Sequence, residues 1–106
     1  MRIETPEPRY KLTMIPETPA DFKQVLEELC DEWYGCYFTI DDGPTIYGID
    51  VRDGGYIIAE CVERADYWRE HFKTPEKMLA ECTHINGRPL SGYLGRMKFH
   101  PECDCA

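Results

Sequence analysis

Residues 36–62 read CYFTIDDGPTIYGIDVRDGGYIIAECV, and this stretch predicts more of the architecture than any other part of the chain. Three short runs rich in β-branched and aromatic residues (36–40, 45–51 and 56–62) are separated by the turn signals Asp42-Gly43-Pro44 and Arg52-Asp53-Gly54-Gly55. Such runs between Gly-containing turns predict three consecutive antiparallel strands, a meander. Successive side chains of a strand face opposite sides, so each run offers one apolar side to a core.

The apolar sides of the three runs identify the residues that we expect to be buried. They are Cys36, Phe38 and Ile40 in the first run, Tyr47, Ile49 and Val51 in the second, and Ile57, Ala59 and Cys61 in the third. The opposite sides carry polar residues together with Tyr37, Tyr56 and Ile58. Because the apolar side of a sheet must be buried against another element, we expect another part of the chain to cover it.

An amphipathic helix is predicted to provide this cover. Thr18 is a good N-cap residue, and Pro19 suits the first helical position. Apolar residues then recur at the three-and-four spacing of one helical side, and Gly35 predicts the end of the segment. That apolar side consists of Phe22, Val25, Leu26, Leu29, Cys30 and Trp33.

The remaining segments complete an α+β prediction. Alternation over residues 9–15 predicts a strand that joins the meander at an edge, and residues 63–72 predict a second helix. Thr74 and Pro75 begin a third helix, and residues 89–97 are compatible with a short fourth one. We therefore expect one domain over residues 1–106: a three-stranded antiparallel meander plus an N-terminal edge strand, covered by the amphipathic helix, with two or three shorter C-terminal helices. Residues 1–8 are expected to form a loose arm and residues 99–106 a Cys-bearing tail.

Composition excludes several functional classes. The chain of 106 residues has 20 acidic and 12 basic side chains, and its net charge is −8. Nucleic acid would be repelled by most of such a surface, which argues against direct DNA or RNA binding. The sequence has no apolar run as long as a membrane span, and its first residues lack the apolar core of a signal peptide. We therefore expect a cytoplasmic protein whose cysteines are free thiols or metal ligands.

Cysteine and histidine residues near the C-terminus form a candidate zinc site. Zinc takes four Cys or His ligands, usually as two close pairs that the fold brings together. The candidate ligands are Cys82, His84, His100, Cys103 and Cys105. Their spacing is irregular, and five ligands compete for four positions. The alternative is a core Cys82, an exposed His84 and a frayed tail with free thiols. A filled site of this kind would be structural, since catalytic zinc keeps a position open to water.

Carboxylates form a second candidate site, for binding a protein partner. Glu27, Glu28, Asp31 and Glu32 are expected on the outer side of the first helix, and Asp41 and Asp42 follow in the first turn of the meander. A dense negative surface resembles a run of phosphates and can occupy a basic channel, as small acidic inhibitors made by phages and mobile elements do. The alternative is that these residues are the ordinary solvated side of an amphipathic helix.

Aromatic residues form a third candidate contact surface. Tyr37 and Tyr56 are expected on the side of the meander away from the covering helix, and exposed aromatic residues are typical of protein contact surfaces. Two alternatives are that the C-terminal segments cover this side, or that a second copy of the chain does so in a homodimer.

Motifs for catalysis are missing from the sequence. It contains no Gly-rich phosphate loop, no Gly-x-Ser-x-Gly elbow and no His-Glu-x-x-His. The sequence therefore predicts a non-enzymatic module that binds another protein, and one version of this hypothesis is a partner with a basic surface. A sharper form of this hypothesis is an inhibitor of a nucleic-acid-handling enzyme. The alternative is a small thiol- or metal-dependent enzyme that uses the C-terminal Cys and His residues.

Overall fold

A computed structural model of the chain describes residues 1–4, 13–31, 34–61 and 68–100. Its strands are β1 (Arg2–Glu4), β2 (Thr13–Ile15), β3 (Cys36–Ile40), β4 (Tyr47–Arg52), β5 (Gly55–Glu60), β6 (Arg69–Phe72) and β7 (Met97–Phe99). Its helices are α1 (Pro19–Leu29), α2 (Pro75–Glu81) and a 3₁₀ helix (Leu90–Tyr93). None of the helices in the described ranges is long and apolar enough to cross a membrane.

The described strands form one seven-stranded antiparallel sheet in the order β1-β2-β7-β3-β4-β5-β6. The predicted fold class was therefore wrong. The three strands expected from residues 36–62 occur as β3, β4 and β5, but they are the middle of a larger sheet. The strand expected at an edge, β2, lies between β1 and β7, and residues 2–4 of the expected loose arm form the edge strand β1.

Two of the predicted C-terminal helices are the source of this error. Residues 69–72 of the expected second helix form strand β6, and residues 63–67 lie outside the described part. Trp68 and Phe72 are four residues apart, and residues at this spacing share a side both in a helix and in a strand. The segment 89–97 contains only the short 3₁₀ helix before β7 begins at Met97.

The two α-helices begin where the sequence predicts. The hydroxyl of Thr18 accepts a hydrogen bond from the backbone N–H of Asp21 at 3.1 Å, and that of Thr74 accepts one from the N–H of Lys77 at 3.1 Å. Proline follows each cap, where the missing N–H costs nothing. Helix α1 ends earlier than expected, because Cys30 adopts an extended backbone conformation.

One side of the sheet, here called the inner side, carries the core and packs against both α-helices. Phe22 of α1 contacts Phe99 of β7, with ring centroids 6.1 Å apart, and α2 packs beside α1. Phe99 in turn contacts Phe38 of β3 at 4.9 Å. The core is completed by Val25, Leu26, Ile49, Ile58, Met78, Leu79, Leu90, Tyr93 and Met97, all of them buried. The other side of the sheet is here called the outer side.

Strand β5 presents the opposite side from the one that was predicted. Ile58, rather than Ile57 and Ala59, is fully buried, and it lies opposite the buried Ile49 of β4. The turn consists of Asp53 and Gly54 alone, with positive φ angles of 52° and 72°, and it pairs Val51 with Tyr56. Directly paired residues share a side of the sheet. Tyr56 therefore lies on the inner side with Val51, and Ile58 lies on the inner side with Ile49.

Candidate functional site

Exposed carboxylates gather at the C-terminal end of α1. Phe22, Val25 and Leu26 bury one side of this helix, which leaves Glu27 and Glu28 on its exposed side. Asp31 follows and is also exposed, whereas the predicted Glu32 lies outside the described residues. The last turn of α1 contains no basic residue. Since the C-terminal end of a helix carries partial negative charge, the carboxylates here are electrostatically unfavourable.

Two hydrogen bonds to Asp31 hold Tyr34 beside these carboxylates. The backbone N–H of Tyr34 donates to Oδ1 of Asp31 at 2.8 Å, and the N–H of Asp31 donates to the carbonyl oxygen of Tyr34 at 2.9 Å. The two hydrogen bonds hold the backbone, while the Tyr34 side chain remains 73% exposed. An exposed aromatic side chain, carried on a hydrogen-bonded backbone, therefore adjoins the acidic end of α1.

Helix α2 adds another carboxylate to the same region. Burial raises the pKa of the half-buried Tyr56 above its ordinary value, and the nearby Cys30, Glu27 and Glu76 raise it further. Glu27 on α1 and Glu76 on α2 act on the same tyrosine, and the two helices pack side by side. No ion pair between residues of the described ranges involves Glu27, Glu28 or Glu76. Glu27, Glu28, Asp31, Tyr34 and Glu76 are called the acidic surface below.

Asp41 and Asp42 belong to a separate, neutralised region. Oδ2 of Asp41 accepts hydrogen bonds from Nε and Nη2 of Arg96 at 2.9 and 2.6 Å, and Nζ of Lys98 donates to Asp42 at 2.6 Å. Arg96 lowers the pKa of Asp41 below its ordinary value. Strand β3 separates this turn from the acidic surface by roughly 13 Å, at about 3.3 Å per residue. The structure therefore does not bring the two predicted acidic groups together.

Tyr37 and Tyr56 lie on opposite sides of the sheet. Tyr37 stands between the buried Cys36 and Phe38, so its side chain is directed to the outer side, near Gly48 and Cys61. Burial raises the pKa of Tyr37, and nearby Cys61 and Asp50 add to the effect. Tyr56 packs against the core on the inner side. The two tyrosines cannot contribute to one continuous contact surface.

The described members of the candidate zinc site lie on two different sides of the sheet. Cys82 is buried at the end of α2, and His84 stacks on Trp68, which packs against the core on the inner side. His100 lies beside Thr39 on the outer side, with 3.5 Å between its Nε2 and the Thr39 hydroxyl oxygen. Cys103 and Cys105 lie outside the described residues. Within the ranges that the structure describes, no three His, Cys, Asp or Glu side chains are placed to hold a metal ion, so the zinc site stays a prediction.

His84 belongs to a cluster that the sequence pattern does not reveal. Its ring lies parallel to Trp68, with an interplanar angle of 8° and centroids 4.5 Å apart, and its Nε2 is 2.7 Å from Oε1 of Glu70. The ring contact and the short contact with Glu70 join the loop after α2 to β6 and to the residue before it. Fourteen residues separate Glu70 from His84, and no local spacing predicts their contact.

A second feature that the sequence analysis missed is a contact between two cysteines. Cys30 and Cys36 were both expected in the core, and both are buried, but their sulfur atoms are also only 3.0 Å apart. The available signal was positional: Cys30 ends a predicted helix and Cys36 begins a predicted strand only six residues later.

A cleft of ≈ 220 Å³ lies near the Asp41 turn, and three of its polar side chains, Asn86, Tyr93 and Arg96, already have hydrogen-bond partners. The Tyr93 hydroxyl donates to the carbonyl oxygen of Ile85 at 3.1 Å and accepts from the Asn86 side chain at 3.3 Å. Arg96, on the same cleft, is bound to Asp41. These hydrogen bonds leave the acidic surface as the better candidate for recognition.

Comparisons with protein-family models, with curated proteins and with solved structures found no match for this chain.

Proposed function

We propose that this protein works by binding another protein, and that the acidic surface contacts a basic region of the partner. One observation carries the proposal: carboxylates stand at the negative end of α1 without a basic residue in the last turn. Residues in this position destabilise the helix that bears them, by about 0.3–1 kcal/mol each. A feature that lowers stability is reasonable where it serves binding, because functional sites are commonly less stable than they could be.

A basic partner would change the sign of this electrostatic effect. Lysine or arginine side chains placed against Glu27, Glu28 and Glu76 would pair with the carboxylates and complement the negative end of the helix. Tyr34 is suited to anchor such a contact, since exposed tyrosine buries much area at a small loss of conformational entropy. The contact would thus combine pairing of carboxylates with basic side chains of the partner and one aromatic anchor, Tyr34.

A nucleic-acid-handling enzyme is the partner class that this chemistry fits best. The groove of such an enzyme carries basic side chains that bind phosphates, and carboxylates can take the place of the phosphates. The net charge of −8 would favour fast association with a basic groove. Complex formation would then block access of nucleic acid, which is the action of an inhibitor.

Charge reversal on the acidic surface tests the proposal. The probe is a fluorescent peptide rich in lysine and arginine, whose dissociation constant is measured by anisotropy at low and at physiological salt. We expect the Glu27→Lys/Glu28→Lys variant to bind about tenfold more weakly or worse, and salt to weaken wild-type binding. The same variant should unfold at a slightly higher urea concentration, because lysine complements the helix dipole.

The control is Glu4→Lys/Glu17→Lys, which changes the net charge equally at exposed positions away from the acidic surface. Binding that depends only on net charge would fall equally in both variants, and this result would contradict the proposal. Salt-insensitive binding that survives reversal of Glu27 and Glu28 would also contradict it. Capture of partners from cell extract with the three proteins as baits then identifies a physiological partner.

A further inference from the structure

The sulfur atoms of Cys30 and Cys36 are 3.0 Å apart. Cys30 is the C-cap residue directly after α1, and Cys36 is the first residue of β3. Both side chains are buried, 9% and 4% exposed, and Sγ of Cys30 is also 3.5 Å from the carbonyl oxygen of Ile49. A disulfide bond has an S–S length of about 2.05 Å, so a movement of roughly 1 Å would allow the two sulfur atoms to bond.

Local structure holds the two cysteines in this arrangement. The backbone N–H of Cys30 remains bonded to Leu26 at 2.9 Å, which fixes the first thiol to the end of α1. Cys36 lies opposite Ile49 in the β3–β4 pair, which fixes the second. Gly35 allows the connecting segment to approach β4 so closely that a Cβ atom there would lie 2.6 Å from the Ile49 carbonyl oxygen.

We propose that Cys30 and Cys36 are a reversible disulfide pair, which a low-molecular-weight disulfide such as glutathione disulfide oxidises. In the first step, the Cys30 thiolate attacks one sulfur of the small disulfide and releases one thiol. In the second step, the Cys36 thiolate displaces the second thiol and forms the Cys30–Cys36 bond. The protein loses two electrons and two protons, and the small disulfide becomes two thiols.

The environment of Cys36 predicts a slow reaction that is faster at higher pH. The hydrogen bond with Cys30 raises the pKa of the Cys36 thiol far above its ordinary value, and burial raises it further. Because the thiolate is the reactive form, little of it is present at neutral pH. Small disulfides reach the pair when the end of α1 opens locally, which makes the oxidation rate sensitive to mild denaturant as well.

Oxidation would close a ring around the turn that carries Asp31 and Tyr34. A covalent ring restricts the unfolded chain, which favours the folded state. Oxidation would thereby favour the folded arrangement of two members of the acidic surface, Asp31 and Tyr34. This consequence for binding rests on the proposed function, whereas the disulfide itself does not.

The test uses the full-length protein, which is reduced, freed of reductant, incubated with glutathione disulfide without denaturant, alkylated and digested with trypsin. The tryptic peptide Gln24–Arg52 contains Cys30 and Cys36 and no other cysteine. We expect it to be unalkylated and lighter than the reduced peptide by two hydrogen atoms, and dithiothreitol should reverse the change. The oxidised protein should also unfold at a higher temperature.

Two variants make the result decisive. Cys61→Ser, at an exposed position, should leave the disulfide in Gln24–Arg52 intact, whereas Cys36→Ser should leave Cys30 able to form only a mixed disulfide with glutathione. Full alkylation of both cysteines in the wild-type protein, or a stable mixed disulfide at either of them, would overturn the proposal. Both readouts are independent of any partner, so a failure of the acidic surface to bind basic peptides would not affect them.

Discussion

Gly35 occupies a position where the backbone has no space for a side chain. A Cβ atom there would overlap the Asp50 carboxylate and approach the Ile49 carbonyl oxygen to 2.6 Å. The Asp50 side chain can move aside, but the Ile49 backbone belongs to the centre of β4 and cannot. The absence of a side chain at Gly35 therefore lets the backbone at this position lie against β4, next to Cys36.

We expect Gly35→Ala to lower the free energy of unfolding by about 1–3 kcal/mol, because the backbone must shift to relieve the overlap. Urea denaturation measures this change. Gly92→Ala is the matched control, since a Cβ atom at Gly92 meets no atom within 4 Å, and its effect should stay within about 0.5 kcal/mol. Equal effects of the two substitutions would contradict this account of Gly35.

Among the elements, strand β5 shows how a short turn determines which residues are buried. Asp53 and Gly54 both have positive φ angles, which is the geometry of a tight two-residue hairpin turn. That turn pairs Val51 with Tyr56 and Ile49 with Ile58. A register one residue different would exchange the two sides of β5 and place Ile57 in the core.

Substitution of adjacent isoleucines tests this register. Ile58→Ala should lower the free energy of unfolding by about 2–5 kcal/mol, since it leaves a cavity between the sheet and the helices. Ile57→Ala removes a half-buried side chain from the outer side, opposite Asp50 and His71, and should cost about 1 kcal/mol. Urea denaturation of the two variants gives the comparison. A larger loss for Ile57→Ala would mean that β5 presents its other side to the core.

At the scale of the whole molecule, strand β7 joins the two ends of the described chain. It lies between β2 and β3, so the last strand in sequence is central in the sheet. Phe99 is fully buried, lies opposite Met14 and Phe38, and contacts Phe22 of α1. The sheet cannot be complete until this C-terminal strand has paired, so the N-terminal strands depend on contacts with residues more than 80 positions away.

Phe99→Ala should therefore weaken the whole sheet. We expect a loss of about 3–5 kcal/mol, a large part of the stability of a small domain. Urea unfolding followed by far-ultraviolet circular dichroism and by tryptophan fluorescence should give coincident transitions at a lower midpoint. Ile3→Ala, at a position 50% exposed on the edge strand β1, is the control and should change the midpoint little. Transitions that separate in the Phe99 variant would show that the sheet is not one cooperative unit.

Features that depend on neighbouring residues could be predicted from the sequence. The caps at Thr18 and Thr74 act over three residues, so both helix starts were correct. The exposed position of Glu27, Glu28 and Asp31 follows from the periodicity of α1. The segment at Trp68 and Phe72 was misjudged, because a spacing of four residues is ambiguous and the deciding factor, pairing with β5, is not a local property.

Local sequence patterns are sufficient to predict β3, β4 and β5, the starts of both helices and the acidic character of α1, because each depends on residues close together in the chain. The remaining features depend on contacts between distant segments. The register of the β4–β5 pair decides which side chains of β5 face the core. Pairing with the distant strands β2 and β3 places β7 inside the sheet. Packing separated His84 from His100, neutralised Asp41 with Arg96 and brought Cys30 against Cys36. These contacts join separate elements, and their geometry exists only once the elements have packed.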